Sequence, residues 1–174
     1  MYTLFKMQAI RGGILQNIRY MPTKNIAFIM FACPNAALEF HQRASTDGLV
    51  VKNKRCKIGW GKAQALTPLI QQILETSGSR NVYIGGIDHT VTEQSLRNDF
   101  AVLGEIELIN IVSDRNIAFV NYTDIMSAIK AVEFMKTHPT YAPFKINYGK
   151  DRCGNPPRSF SQDGLSSPSR ELSC

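Results

Sequence analysis

No run of apolar residues approaches the roughly 18 that a membrane span needs, and the N-terminus carries no signal-peptide pattern. The expectation is an intracellular, soluble protein with no membrane partner. Cysteine is scarce: Cys33, Cys56, Cys153 and Cys174 are the full set, and no two stand in C-x-x-C spacing. Cys33 and Cys56 lie in or beside apolar, strand-like runs, so reduced thiols are expected in place of disulfides or a zinc site. His41, His89 and His138 are scattered, no glycine-rich loop carries a phosphate-binding lysine, and the carboxylates form no pair at a shared site. These absences argue against an enzyme, a metal, a cofactor and a small-molecule substrate. The charge excess is positive, 20 Lys and Arg against 14 Asp and Glu, which favours a polyanionic partner without proving one.

What is present is a repeat. KNIAFIMF (24–31) and RNIAFVNY (115–122) are nearly the same word, and at the same offset of 91 Gly13 falls on Gly104, Asn25 on Asn116, Ala27 on Ala118 and Phe28 on Phe119. Further on, CKIGWGK (56–62) answers FKINYGK (144–150) at an offset of 88. The chain reads as a tandem of two homologous units. A hydrophobic content of 44% supplies apolar surface for two cores of modest size.

The second unit is the more complete. NVYIGGI (81–87) alternates and is rich in strand formers, and Thr92 can cap a helix in which Leu96, Phe100 and Leu103 recur at i, i+4 and i+7. Gly104 breaks that helix, EIELINIV (105–112) reads as a strand, and SDRN connects tightly into the octamer strand. Asp124 caps a second helix with Ala128, Ile129, Val132 and Met135 on one face; His138 and Pro139 stop it, and FKINYGK supplies the last strand. The order βαββαβ is the α+β, ferredoxin-like pattern.

That fold hosts many functions, so the exposed face must decide. Alternation puts Ala118, Val120 and Tyr122 on one side of the octamer strand and Ile117, Phe119 and Asn121 on the other. With Val82 and Ile84 inward, Tyr83 points outward beside Phe119. Aromatic faces left in water can stack unpaired bases, although a cross-strand pair can also merely stabilise a sheet. Arg115, Lys145, Lys150 and Arg152 are placed to meet phosphates, and the Asn147 amide to read a base edge. In the first unit Ile26 and Phe28 take the equivalent outward places, with Lys24 at the start of its octamer and Lys57 and Lys62 on and after its last strand. The same alternation places Trp60 inward, where a lone tryptophan is more often core than a stacking platform.

VYIGGI and RNIAFVNY resemble the hexamer and octamer signatures of the RNA recognition motif. The likeness covers residues 80–150 fully and 1–62 in part. More narrowly, SRNVYIGGID, LRNDFAVLGEIELIN and FKINYGKDRCGNPPR are similar to the fungal multi-motif RNA-binding proteins of the negative-regulator-of-differentiation family. The resemblance implies binding of single-stranded RNA, mRNA in particular, in post-transcriptional control, in the cytoplasm with the nucleus as a second compartment, and other ribonucleoprotein components as further partners. The chain departs from the pattern where Asn116 and Ile117 replace the octamer's usual glycine and aromatic, and where Gly86 replaces the hexamer's common asparagine. One stacking platform is therefore missing, and affinity per module should be modest. The alternative is a module whose Tyr83 and Phe119 surface receives a peptide or the linker helix.

Four segments are expected. Residues 1–62 form a first unit truncated at its N-terminal side: at offset 91 Tyr83 has no counterpart, and LFKMQAI (4–10) aligns only with the later part of helix one. Without the central strand this unit is expected not to fold alone, and RNA binding is expected to reside mainly in 80–152. Residues 63–79 form a linker with a helix capped by Thr67 and Pro68 and striped by Leu69, Ile70, Ile73 and Leu74. It either gates the first unit's RNA surface or simply covers core. Residues 80–150 are the complete unit. Residues 151–174 read as a disordered tail, with Ser167 before Pro168 as a candidate phosphorylation site.

Overall fold

A computed structural model of the chain describes residues 10–51 and 53–156. In chain order its elements are β1 (Leu15–Met21), β2 (Ile26–Phe31), α1 (Pro34–Arg43), β3 (Val50–Val51), β4 (Lys54–Arg55), α2 (Pro68–Glu75), β5 (Asn81–Gly85), α3 (Glu93–Phe100), β6 (Ile106–Val112), β7 (Ile117–Tyr122), α4 (Ile125–Thr137) and β8 (Lys145–Tyr148). The stretch from β5 to β8 forms an antiparallel sheet in the order β6-β7-β5-β8 with α3 and α4 on one face, the ferredoxin-like arrangement.

Local chemistry explains the helix boundaries. Thr92 accepts a hydrogen bond from Ser95 N at 3.1 Å while the Ser95 hydroxyl accepts from Thr92 N at 3.0 Å, so two amides the helix leaves unpaired are satisfied. Asp124 accepts from Ser127 N at 2.8 Å and caps α4, which ends at the extended residue His138 before Pro139. Val82, Ile84, Ala118, Val120 and Tyr122 are buried against Leu96, Phe100, Val132 and Met135, and the buried Tyr122 hydroxyl donates to Phe100 O at 2.9 Å. Ile129 differs from its expected place. It joins Ile125 and the linker residue Ile70 in a separate cluster.

The N-terminal portion repeats part of this geometry. Moved by 91 residues, the bounds of β1 and β2 coincide with those of β6 and β7, and the register shift between Leu15 and Asn17 recurs between Ile106 and Leu108. Asn25 and Asn116 both take positive φ, 51° and 53°, a left-handed turn that asparagine tolerates. A side chain on Gly13 would collide with Ala36 and Phe31, and one on Gly104 would collide with Ser127 and crowd Tyr122. These are the same pairs at the same offset. Each glycine lets the first turn of a helix close onto its hairpin.

The likeness ends at the last strand. Residues 56–67 contain no regular structure, so Lys57 lies in an irregular segment and not on a strand. The reason is topological: β8 pairs with β5 alone, and among the described residues 10–62 hold no counterpart of β5. CKIGWGK therefore has no ladder to join. Trp60 is also corrected, being 64% exposed where an inward position was expected.

Several backbone contacts tie the portions together. Ile18 N donates to Thr123 O at 2.9 Å, linking β1 to the chain just after β7. Beyond β8, residues 151–156 are not a free tail. Cys153, on a short helical turn (Arg152–Gly154), is 0% exposed among Ile10, Leu15, Ile18 and Phe40, and its carbonyl accepts from Gly12 N at 2.9 Å and Gly13 N at 3.0 Å. Residues 157–174, with Ser167, lie outside the described residues, as do 1–9 and with them most of LFKMQAI.

Candidate nucleic-acid interface

The sheet face opposite α3 and α4 is organised in rows, because strand register brings outward residues side by side. The middle row runs Asn110, Phe119, Tyr83, Asn147 across β6, β7, β5 and β8, and the next row runs Val112, Ile117, Gly85, Lys145. Tyr83 and Phe119 are half-buried, with ring centroids 5.7 Å apart and planes at 61°. The Tyr83 phenol lies over Gly85, and a side chain on Gly85 would collide with it. On the other side Gly149 lets the chain pass Phe119: a Cβ there would sit 3.2 Å from the ring and 2.8 Å from Asn81 Nδ2. Two glycines thus make room for the two aromatic rings.

Cations border this surface. Lys145 and Lys150 are exposed at β8 and its exit, and Arg115 is exposed in the turn between β6 and β7. Asn81 Nδ2 donates to Lys150 O at 3.0 Å and Asn81 O accepts from Gly149 N at 2.8 Å, so the backbone that carries Lys150 is pinned. Asn147 is exposed in the Tyr83 row, where its amide offers both donors and an acceptor. Arg152 is exposed on the turn after β8; burial holds the nearby Glu107 carboxyl above its ordinary value, opposed chiefly by Arg80 and more weakly by Arg152. Ile117 is half-buried beside Gly85 and offers apolar contact where the usual pattern has a ring.

In the N-terminal hairpin Ile26 and Phe28 are 45% and 43% exposed, and Lys24 is exposed at the turn. Lys57 and Lys62 are exposed as well, in the irregular segment. The linker helix does not lie on either aromatic surface. Thr67 caps it, accepting from Ile70 N at 3.4 Å, and Ile70 is buried against Ile125 and Ile129 of α4 while Leu69 stays exposed. This helix is core cover on the helical side of the sheet.

Three features were not found by reading the sequence. Asn110 completes the Tyr83 row, but its place depends on the register shift near Ile106, which no local pattern announces. Arg19 pairs in register with Phe28. The third is a clamp below the sheet. Arg80, 2% exposed, donates from Nε and Nη2 to Asp151 at 3.1 and 3.2 Å, and from Nη1 to Glu107 at 3.0 Å and Tyr122 O at 2.8 Å. Burial alone would lower the Arg80 guanidinium, but the carboxylates of Asp151 and Glu107 outweigh it and hold it above its ordinary value.

Residues 82–138 match the family model of the RNA recognition motif. The chain is 42% identical over 159 residues to RNA-binding protein MRN1 of Saccharomyces cerevisiae, a match that covers 86% of this chain and 26% of that protein. It is 37% identical over 145 residues to the meiotically up-regulated gene 24 protein of Schizosaccharomyces pombe, covering 83% and 22%. It is 32% identical over 188 residues to RNA-binding protein NAB6 of Saccharomyces cerevisiae, covering 84% and 17%. The chain thus spans about a quarter or less of the length of these relatives. With the strand order β6-β7-β5-β8 and the helices on one face, residues 82–138 are an RNA recognition motif.

Proposed function

We propose that this chain binds single-stranded RNA, mRNA in particular, and serves post-transcriptional control in the cytoplasm, with the nucleus as a second compartment. The observation that carries this is the row Asn110, Phe119, Tyr83, Asn147, with two rings 5.7 Å apart on a face that no helix of its own motif covers. Rings offered this way stack splayed bases, which a duplex does not present. Two of the three relatives described are named as RNA-binding proteins, which supports the same reading. Replacing Phe119 by alanine should weaken binding to the best single-stranded oligoribonucleotide by roughly 1–3 kcal/mol. The melting temperature should hardly move, because Phe119 lies outside the buried cluster. Fluorescence anisotropy with labelled RNA measures the first and circular dichroism the second; unchanged affinity would remove the stacking model.

The phosphate contacts in this reading fall to Arg115, Lys145 and Lys150, with Asn147 reading a base. Three such contacts should contribute about −2 to the slope of log affinity against log salt, at about 0.7 per contact on a single strand. Alanine at all three positions should make the slope shallower by that amount. A slope unchanged by the triple substitution would place the phosphate path elsewhere.

In this reading residues 1–62 are a second copy of the motif and the chain is a tandem, with Ile26, Phe28, Lys24, Lys57 and Lys62 as its share of the RNA surface. The matched strand bounds and the matched glycine contacts at offset 91 support that reading.

A further inference from the structure

The positive charge of this chain is not where the complete motif is. Residues 1–62 hold ten Lys and Arg against two acidic residues, Glu39 and Asp47, whereas residues 63–174 hold ten against twelve. The sheet with Tyr83 and Phe119 is therefore set beside a strongly basic neighbour, and an RNA strand that runs onto that neighbour gains further attraction.

An aromatic side chain waits there. Trp60 is 64% exposed and lies parallel on His41 of α1, with ring centroids 4.2 Å apart and planes at 8°. It stands between Gly59 and Gly61, with exposed Lys57 three residues before it and exposed Lys62 two after. A Cβ built on Gly59 meets nothing within 4 Å, so the backbone just before Trp60 borders open space. A Cβ on Gly61 would sit 3.4 Å from the Phe28 ring. The segment thus leads from α1 to the outer face of the hairpin, where Phe28 lies opposite Arg19. Internal packing does not account for this arrangement, because burial of an indole is worth having only when water is excluded and most of this ring remains wet. The imidazole fixes the ring plane, so less rotamer freedom is lost when something settles on the exposed area.

The geometry points to a second base-stacking site, outside the four-stranded sheet: the Trp60 indole, braced by His41, takes one unpaired base of a single-stranded RNA, and Lys57 and Lys62 meet the phosphates on either side. This rests on the reading of the chain as a single-stranded RNA binder. It moves part of the affinity off residues 80–152 and onto the basic N-terminal portion. The lysines select for a polyanion, and the indole selects for a polyanion that carries flat, stackable groups.

Trp60 is the chain's only tryptophan, so its emission reports this site alone. The intact chain is titrated with a mixed-sequence single-stranded oligoribonucleotide while binding is followed independently by anisotropy of the labelled strand. Trp60 emission should be quenched along the same isotherm. Trp60→Ala should weaken binding roughly 5- to 100-fold with an unchanged melting temperature, and Trp60→Phe should recover part of that loss. If RNA binds with its dependence on Phe119 but Trp60 emission stays constant, or Trp60→Ala binds as tightly as the unaltered chain, the Trp60 site is wrong and the sheet-face function stands. If no RNA binds at all, both readings fall. A base-free sugar-phosphate strand that quenches as strongly as RNA overturns the stacking, and an acidic peptide that quenches where RNA does not assigns the surface to a protein partner.

Discussion

Replacing Arg80 by methionine should destabilise the chain by about 3–5 kcal/mol, the usual penalty for leaving a buried charge without its partner. Asp151 is 4% exposed and takes two of its hydrogen bonds from this guanidinium; once the guanidinium is gone it keeps one from Cys153 N at 2.9 Å. Methionine fills much of the stem's volume, so the loss reports charge and hydrogen bonding more than a cavity. Arg80→Lys should recover little of it, because a single ammonium cannot reproduce the fork that reaches Asp151, Glu107 and Tyr122 O together. Replacing both Arg80 and Asp151 with apolar residues should cost clearly less than the sum of the two single changes, since neither charge is then stranded. Urea titrations of the unaltered chain and these four variants measure this. A single-substitution effect below about 1 kcal/mol would mean the clamp is not what holds the segment.

The effect should also reach beyond stability. Asp151 fixes the turn that seats Cys153 in the N-terminal core and presents its carbonyl to Gly12 and Gly13. When the clamp opens, the basic hairpin loses a main tie to the motif, leaving the bond between Ile18 N and Thr123 O as a principal link. The N-terminal amides should then exchange faster than those of β5 and β7, because local stability follows the contacts that remain.

How much of this was legible depends on how far apart the cooperating residues are. The order of strands and helices from β5 to β8 could be read because its signals are local: period-2 alternation in NVYIG and IAFVNY, and Thr92 and Asp124 ahead of apolar helical stripes. The pairing of Tyr83 with Phe119 followed from alternation in two neighbouring strands. CKIGWGK misled because its letters resemble FKINYGK while strand formation depends on a partner, and the partner strand is absent among the described residues. Trp60 was misplaced for the same reason. The Arg80 clamp could not be read at all: it joins residues 27, 42 and 71 positions away in sequence, and no spacing rule points to them. The length of the tail was misjudged because Pro, Gly and Ser content describes a segment's own preferences and is silent about a core waiting to receive Cys153.

The double substitution Tyr83→Ala with Phe119→Ala should weaken RNA binding by roughly 2–6 kcal/mol if each ring stacks one base at about 1–3 kcal/mol. The rings touch, at 5.7 Å between centroids, so the two changes need not add: removing Tyr83 takes away the edge that orients Phe119 as well as its own stacking surface. A loss smaller than the sum of the singles would show that the rings act as one platform, and a loss equal to the sum would show two independent sites. Salt separates stacking from charge. The double variant should keep the slope of log affinity against log salt, since Arg115, Lys145 and Lys150 are untouched, while its whole line drops. Stability should fall only modestly, because the buried cluster of Val82, Ile84, Ala118 and Val120 lies on the other side of the same strands. Anisotropy titrations at several salt concentrations, with thermal melts of the same samples, decide it. A double variant that binds RNA within a factor of about two of the unaltered chain, at a fraction of the roughly tenfold change that 1.4 kcal/mol represents, would mean that the sheet face is not where RNA sits.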